Sequence, residues 1–497
     1  MSVSLAIVAL VTAPLVAALI AVILPRWGPW LSLLVVAGNA AALVVLIPAI
    51  VSQGALTLPI GGWQAPLGIT LRADGMALAF LTMAALVMAA VLVSARPEFG
   101  GGGEVTETRR QWAFWPLALL LWSALNVVFL SRDLFNLYVA LELLTVSAVA
   151  LVAIDGKADG LGAALRYLMF ALLGSLAYLL GAALLYAQHG TLDIALLADQ
   201  AIGGRAAVDM MAVGLMTAGL AAKTALFPFH AWLQPAHSGA PAPASAMLSA
   251  LVPKASFAIL IRIWFEALPG LATPPLLVTL GAMGAIAIVY GSVLALRQTR
   301  LKLMIAYSTV AQIGYLFLIF PLAGGDSYMQ PWAAGAWTGV MFHALSHGLA
   351  KASMFLCAGL WIVAAGSDRI EAMRGLASAT PMIASAFALA AVTLVGLPPS
   401  GGFTAKYLML TSAFVSGQYV WAAVLLIGGL LSAAYLYRPL AVAFARDGDA
   451  VFKPVPRLAQ AMPLMLALAA ILLGLASQGP FALMQIGRPS SAEAGLQ

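Results

Sequence analysis

Charged residues are scarce in this sequence of 497 residues. Only 8% of the residues are charged, whereas 63% are hydrophobic and the mean hydropathy is +1.02. This composition excludes a soluble globular protein, because long apolar runs recur about every thirty residues and about 20 apolar residues suffice to span a bilayer. The chain is therefore predicted to be an all-α polytopic membrane protein.

Cysteine and nucleotide-binding motifs are also lacking. The single cysteine, Cys357, excludes a disulfide framework and a cysteine-ligated metal or iron–sulfur site within the chain. Neither G-x-G-x-x-G nor G-x-x-x-x-G-K-[ST] occurs, and the net charge of +6 comes from loop arginines. We therefore expect no cofactor, no metal and no nucleic-acid partner.

Polar residues, glycines and prolines divide the apolar sequence into about fourteen predicted spanning helices. They lie near 3–24, 28–50, 75–95, 113–130, 133–153, 161–187, 207–234, 243–267, 275–296, 301–321, 332–365, 381–416, 419–441 and 459–477. Three of them, 207–234, 332–365 and 381–416, are too long or too punctuated for one straight helix. Pro228, Gly348 and the GLPPSGG motif mark their expected breaks. Broken helices in a regular bundle are a usual feature of transport pathways.

The distribution of lysine and arginine predicts that both termini face outward, in the inner membrane of a bacterium. With this orientation, inside-facing loops hold Arg26, Arg96, Arg109, Arg110, Lys157, Arg297, Arg300, Lys302, Arg369, Arg374, Arg446, Lys453 and Arg457, and the outer loops and tails hold only Arg72, Arg132, Arg205 and Arg488. This asymmetry satisfies the positive-inside rule. The outer segment 57–75 alternates around a Gly-Gly pair and predicts a short β-hairpin.

Lysine is placed differently from arginine. Four of the seven lysines lie inside apolar segments, namely Lys223, Lys254, Lys351 and Lys406, whereas nearly all seventeen arginines lie in loops or near helix ends. An arginine keeps its proton, but a desolvated lysine can exchange it. Because a lysine near the bilayer centre costs about 3 kcal/mol, these four are expected to face partners inside the bundle.

Glu142, in the segment DLFNLYVALELL, is the predicted counter-charge of Lys223. It lies nine residues after Asp133, about 13 Å into its helix and therefore near mid-membrane. The structural alternative is a Lys–Glu pair that only fixes the register of two helices.

Histidines accompany the buried lysines in two segments. His343 and His347 precede Lys351 at steps of four residues, which predicts a column of three titratable groups on one helix face. His230 and His237 follow the first buried lysine across Pro228, and the ordinary pKa of histidine suits a proton relay. The alternatives are a structural role for the column and an ordinary loop position for the last of these histidines, in AHSGAPAPAS. A metal site on the column lacks a third ligand at suitable spacing.

Charges near helix ends have a simpler explanation. Arg72 and Asp74 are expected to be capping or solvated, and Arg262 and Glu266 to reach toward water along their apolar stems.

Several motifs together resemble a known superfamily. KTALFPFHAWLQPAHSGAPAPASAMLSALVPKAS is similar to the signature of the antiporter-like subunits shared by respiratory complex I, membrane-bound hydrogenases and Mrp-type cation/proton antiporters. DLFNLYVALELL, RLKLMIAYSTVAQIGY, FHALSHGLAKASMFLCAG and GLPPSGGFTAKYLML resemble the remaining blocks in order, over roughly residues 60–440. The chain length, the paired prolines, GGWQAPLGITL and the lysine at 406 resemble the D-type subunits of Mrp antiporters. Pro253, before Lys254, departs from the aliphatic residue that is usual there.

The resemblance implies a bundle of about fourteen helices with two inverted five-helix repeats and discontinuous helices. Its expected divisions are 1–112 (three helices and the outer hairpin), 113–267 and 275–441 (the repeats), and 442–497 (a helix and the tail). It also implies proton translocation through Glu142, Lys223, Lys254 and Lys406. Candidates for the relay are His230, His237, His343, His347 and Lys351.

The expected function is that of a proton-translocating subunit of a multisubunit Na⁺/H⁺ antiporter, without chemistry of its own. Its expected partners are other membrane subunits, the lipid bilayer, protons and Na⁺. Two alternatives stay open. One is the proton-pumping limb of a complex I-like NADH:quinone oxidoreductase or a membrane-bound hydrogenase, and the other is a subunit of an inorganic-carbon uptake complex.

Overall fold

A computed structural model describes residues 1–100, 108–200, 207–325, 330–445 and 451–488. Within these ranges, thirteen helices are long and apolar enough to cross a membrane. Two half-helices, Pro381–Val395 and Gly401–Val415, together cover the remaining predicted span, 381–416. The prediction of an all-α polytopic membrane protein is confirmed. Arg205, Arg446 and most of the glycine run at 100–103 lie outside the described residues.

The helices of the first half are α1 (Val3–Ile23), α2 (Gly28–Gln53), α3 (Gly75–Phe99), α4 (Arg109–Leu130), α5 (Leu134–Val152), α6 (Ala158–His189), α7 (Ile194–Gln200), α8 (Ala207–Thr224), α9 (Leu233–Gly239), α10 (Ala242–Ala250) and α11 (Val252–Arg262). Those of the second half are α12 (Pro274–Arg297), α13 (Leu301–Phe317), α14 (Ile319–Ala323), α15 (Pro331–Ala365), α16 (Leu376–Ala379), α17 (Pro381–Val395), α18 (Gly401–Val415), α19 (Tyr419–Phe444), α20 (Arg457–Leu475) and α21 (Gln478–Gln485).

A short hairpin precedes α3, as predicted. Strand β1 (Leu56–Pro59) pairs antiparallel with β2 (Thr70–Ala73). Asp74 then begins α3 as its N-cap, and its carboxylate accepts a hydrogen bond of 2.9 Å from the backbone N–H of Ala77. The hairpin is thereby fixed to the end of a spanning helix.

Two of the predicted helix breaks are present. The helix α8 ends at Thr224, Ala225 adopts a positive φ of 61°, and a 3₁₀ turn beyond Pro228 leads into α9. The segment between α17 and α18 begins at Gly396, whose φ is 87°. Each break interrupts the main-chain hydrogen bonding of a helix that carries a buried lysine.

The predicted break at Gly348 is wrong. The helix α15 runs unbroken from Pro331 to Ala365. A Cβ atom at Gly348 would lie 2.3 Å from Sδ of Met83 and 3.3 Å from the carbonyl oxygen of Ala250. This glycine therefore allows α15 to pack closely against α3 and α10, and it does not end the helix.

A third break lies where the sequence predicted one helix over 243–267. The chain forms α10 to Ala250, turns at Leu251 and restarts as α11 with Pro253 in its first turn. A π-helical turn at Ile263–Ala267 then ends the segment. Pro253 is the physical reason for the break, because it lacks the N–H that a continuous helix would use.

The segments that carry the buried cations form the centre of the bundle. In the most apolar stretch of Ala242–Ala267 every residue is buried, whereas only 39% are buried in Val3–Ile23 and 33% in Arg457–Leu475. The division into two inverted five-helix repeats, over 113–267 and 275–441, stays a prediction.

Candidate functional site

Glu142 and Lys223 form an ion pair between α5 and α8. Nζ of Lys223 lies 3.0 Å from Oε1 of Glu142 and 2.8 Å from Oγ1 of Thr145. The hydroxyl of Ser175 on α6 also donates to this carboxylate. The lysine side chain is buried, whereas 23% of the glutamate side chain is exposed on the flank of the bundle. The structure thus places the predicted counter-charge beside Lys223.

A small cavity continues from this pair toward α11. Its lining includes Thr145, Tyr167, Lys223 and Ser256, and its volume is about 10 Å³. That volume is about what one water molecule needs, and the lining supplies polar partners for it. The cavity connects the ion pair to the helix that carries Lys254.

Lys254 is buried without a carboxylate partner among the described residues. Its Nζ donates a hydrogen bond of 2.8 Å to the main-chain carbonyl of Ser249. The hydroxyl of Ser249 lies 2.9 Å from that of Thr309 on α13. The carbonyl and hydroxyl groups of Ser249 therefore connect Lys254 to Thr309 on α13.

The predicted column on α15 is present and faces α13. The rings of His343 and His347 are nearly parallel, with centroids 5.8 Å apart. Nζ of Lys351 donates to the carbonyl of Ile305, at 3.0 Å, and to the hydroxyl of Ser308. All three side chains of the column are buried.

The histidines of the column have open hydrogen-bonding capacity. Nε2 of His343 donates to the main-chain carbonyl of Gln312 at 3.0 Å, which leaves Nδ1 as the acceptor. Neither ring nitrogen of His347 has a hydrogen-bond partner within the described ranges. His347 also lies within electrostatic range of Lys254 and Lys351. Buried polar groups ordinarily have a partner, so the ring of His347 keeps hydrogen-bonding capacity for a water molecule.

Lys406, on α18, faces the end of α17. Its Nζ donates to the carbonyl of Leu394 at 2.8 Å and to that of Val395 at 3.0 Å. The same nitrogen lies 4.5 Å from the ring centroid of Tyr315, a cation–π contact. Two carbonyls and an aromatic face thus hold this ammonium group.

Gln312 links the histidine column to the surroundings of Lys406. Its main-chain carbonyl accepts from His343, and its side-chain amide lies 3.4 Å from the carbonyl of Leu394 and 3.1 Å from the hydroxyl of Ser432. Sequence reasoning missed Gln312, Ser249 and Thr309. The only signal was the polar run STVAQ within an apolar helix, which does not show which neighbours its side chains contact.

The two other candidate histidines of the relay, His230 and His237, lie apart from the column. His230 lies in the 3₁₀ turn after the first break, stacked on Phe227 and edge-on to Tyr290. His237 is fully buried in α9, with its ring 4.5 Å from that of Phe355. The alternative that His237 is an ordinary loop residue is therefore wrong. Helix α9 packs His237 against Phe355 of α15.

An open, charged cavity of about 1300 Å³, here called the charged vestibule, lies beside the end of α9. Its charged lining residues are Glu98, Asp155, Asp159, Asp368, Lys157, Arg166, Arg300 and Lys302. Nζ of Lys302 donates to the carbonyl of Ala240 at 2.5 Å, at the C-terminal end of α9. Ser238, the neighbour of His237 in the sequence, also lines the vestibule.

A buried ion network lies at the α3 N-terminus, near the hairpin. Arg262 contacts the two carboxylate oxygens of Asp74 at 2.6 and 2.9 Å, and Glu266 pairs with both Arg262 and Arg132. Each of these four side chains is 6% exposed or less. The expectation that Asp74 is a capping residue is confirmed, since it is the N-cap of α3. The expectation that Arg262 and Glu266 reach toward water is wrong, because these side chains are paired inside the protein.

The pKa of Asp74 follows from this network. Burial alone would raise the pKa of its carboxyl group, but the charge and hydrogen bonds of Arg262 outweigh burial and hold the pKa below its ordinary value.

The centre of this bundle of spanning helices holds a line of lysine, glutamate and histidine side chains. This arrangement defines an antiporter-like, proton-translocating membrane subunit. A family model described as "NADH:quinone oxidoreductase/Mrp antiporter, TM" matches residues 131–432, more than half of the chain, and the chain belongs to that family.

Relatives of two kinds cover the chain to the same extent. It is 36% identical over 405 residues to NADH-quinone oxidoreductase subunit N of Desulforudis audaxviator, covering 80% of this chain and 78% of that one. It is 29% identical over 402 residues to the D-type subunit of the Na(+)/H(+) antiporter of Alkalihalophilus pseudofirmus, again covering 80% and 78%. Its fold matches a chain of the Mrp complex from a Dietzia species with a TM-score of 0.88 at 23% identity, covering 99% of both chains. The resemblance to the antiporter-like superfamily is confirmed.

Proposed function

We propose that this chain is the proton-translocating subunit of a multisubunit Na⁺/H⁺ antiporter, in the inner membrane of a bacterium with both termini outside. The observation that carries the proposal is the line of buried titratable groups that crosses the centre of the bundle from Glu142 and Lys223 to Lys406. Both ends of the line lie beside broken helices, where freed main-chain groups and water can serve an ion path.

The path begins with the charge state of Lys223. Glu142 holds this lysine protonated through a direct ion pair. When the pair weakens, the ammonium group becomes costly in its apolar surroundings and its proton moves on. The water-sized cavity lined by Ser256 leads that proton toward Lys254.

The second half of the path runs through α13 and α15. Lys254 connects through Ser249 and Thr309 to the helix that faces the histidine column. His347 and His343 then carry the proton toward Gln312, whose side chain reaches the carbonyl that holds Lys406. Lys406 is partly exposed, so it can exchange the proton with one side of the membrane.

Access from the other side uses the charged vestibule. It opens among loops that the positive-inside rule places in the cytoplasm. Its wall includes the end of α9 next to His237, which interacts electrostatically with Lys254, Lys302 and Lys351. His237 therefore supplies protons to the centre of the line, and His230 serves the Lys223 end.

Removing either member of the first pair tests the proposal. In the intact complex, reconstituted into vesicles with an internal pH dye, Lys223→Ala or Glu142→Ala is expected to abolish sodium-driven proton flux. The amount of protein in the membrane should not change. Lys453→Ala, at an exposed lysine, is the matched control and should keep wild-type flux. Full flux in a well-expressed Lys223→Ala variant would refute the proposal.

A second candidate, the proton-pumping limb of a redox complex, is favoured by the 36% identity to an NADH-quinone oxidoreductase subunit. Gentle extraction of the native complex and mass spectrometry of what co-purifies separate the two candidates. A larger antiporter-like chain with small hydrophobic subunits is expected for the antiporter. Iron–sulfur or hydrogenase subunits would instead establish the redox complex.

A further inference from the structure

Main-chain carbonyls that lack their usual donors lie beside Lys254 and Lys406. In an α-helix each carbonyl accepts the N–H of the residue four positions later, and a proline has no N–H to give. Pro253 therefore leaves the carbonyl of Ser249 without a backbone donor. The carbonyls of Leu394 and Val395 lack a donor for another reason, because α17 ends at Val395 and the last carbonyls of a helix have no partner within it.

Each of these carbonyls accepts from a lysine ammonium group. Nζ of Lys254 lies 2.8 Å from the Ser249 oxygen, and Nζ of Lys406 lies 2.8 and 3.0 Å from the oxygens of Leu394 and Val395. The backbone N–H of Lys254 bonds to Leu251 instead, so it does not compete for the freed oxygen. The second lysine also lies at the C-terminal end of α17, where the helix dipole favours a cation.

The same arrangement also occurs with a donor that does not titrate. Pro14, inside α1, leaves the carbonyl of Leu10 free, and Nδ2 of Asn126 donates to that carbonyl at 2.6 Å. Proline-freed carbonyls in this bundle are thus used by buried side chains from two different chemical classes, amide and ammonium.

We propose that Pro253 is a positioning residue of the proton path, because it leaves free the carbonyl that holds the ammonium group of Lys254. This inference rests on the proposed function. Lys223 is held by a carboxylate, which can itself take the proton, whereas a peptide carbonyl cannot. Pro253 thus provides Lys254 with an acceptor that stabilises the charged form and never competes for the proton.

Other titratable groups surround both lysines. Within the described residues, Lys254 interacts electrostatically with Lys351, His343 and His347 on α15 and with His237 on α9. Lys406 interacts with the same two α15 histidines and contacts the Tyr315 ring on α13. None of these groups is a carboxylate, so the freed carbonyls are the main acceptors that favour the charged lysines.

The test replaces a proline and follows the pH profile of transport. Pro253→Ala returns an N–H donor to the Ser249 carbonyl and weakens its hold on Lys254. In the reconstituted complex, the alkaline limb of the flux profile is expected to move to lower pH by about one unit, the equivalent of one charged hydrogen bond. Pro14→Ala is the matched control, since it returns a donor to a carbonyl that serves an asparagine, and its profile should stay unchanged.

A second variant keeps the inference testable if Pro253→Ala does not fold. Pro253→Val returns the same N–H donor with a side chain closer in size to proline and is expected to move the profile in the same direction. Nitrogen-15 NMR of lysine-labelled complex, with Lys254→Arg used for assignment, should show the Nζ titration moving with the profile in Pro253→Ala. An unchanged profile in stably folded proline variants would overturn the inference alone. The proposed function fails separately, through full flux in Lys223→Ala.

Discussion

Four lysines inside the bundle have different partners. Lys223 contacts a carboxylate and a hydroxyl, and Lys351 contacts a carbonyl and a hydroxyl. Lys254 contacts a carbonyl, and Lys406 contacts two carbonyls and an aromatic ring. A buried ammonium group is costly, so each partner sets how readily its lysine gives up a proton. In the proposed path, one residue type thus has several different kinds of partner.

The apolar context of each lysine was enough to predict its burial. The partners were not predictable, because they come from distant parts of the chain. Gln312, for example, reaches a carbonyl 82 residues away. Local periodicity cannot predict such a contact. The four-residue spacing from His343 to Lys351, in contrast, directly predicts that they share a helix face.

The buried ion network predicts an acid-sensitive stability. The pKa of Asp74 is lower in the folded protein than in the unfolded chain, so its contribution is present above the unfolded pKa of about 3.9 and is lost as the pH falls through the folded value. Asp74→Asn should remove about 3 kcal/mol at neutral pH, since it leaves Arg262 with one buried partner fewer. Thermal melting in detergent from pH 7 to pH 3 checks both statements. A variant that melts like the wild type at neutral pH would contradict them.

Proline and glycine gave predictions of different quality for the helices. Proline at 228 and in GLPPSGG correctly marked two breaks, and proline at 253 marked a third that was overlooked. The prediction that Gly348 also breaks its helix is wrong. A proline always removes a backbone donor, whereas a glycine keeps its N–H and often serves only to let two helices approach.

Helices α6 and α8 approach each other closely beside the first ion pair, where Ser175 of α6 donates to Glu142. A Cβ atom at Gly219 would lie 2.2 Å from the carbonyl oxygen of Gly174, so Gly219→Ala must separate the two helices. We expect a loss of about 1–3 kcal/mol and a weaker contact of Lys223 with Glu142. Gly214→Ala, on the same helix with open space around it, should instead gain up to about 1 kcal/mol. Melting temperatures of both variants decide this, and equal stability would contradict it.

At the scale of the whole molecule, burial increases from the outer helices toward the segments that carry the line of charges. The composition predicted the class of the protein, and the motifs predicted its family. The charged vestibule could not be predicted, because its walls come from α3, α6, α9, α13 and α15 and from the connection after α5. Only the assembled bundle brings those charges together.

The central claim is that one continuous path crosses the bundle through Lys254. Sodium-driven proton flux through the reconstituted complex carrying Lys254→Leu tests it most directly, because leucine preserves the bulk of the side chain and removes the proton carrier. We expect Lys254→Leu to abolish flux without impairing assembly, and Lys453→Leu, at an exposed position, to keep wild-type flux. Wild-type flux in Lys254→Leu would show that the Lys223 end and the Lys406 end translocate protons independently. That result would contradict a single continuous path.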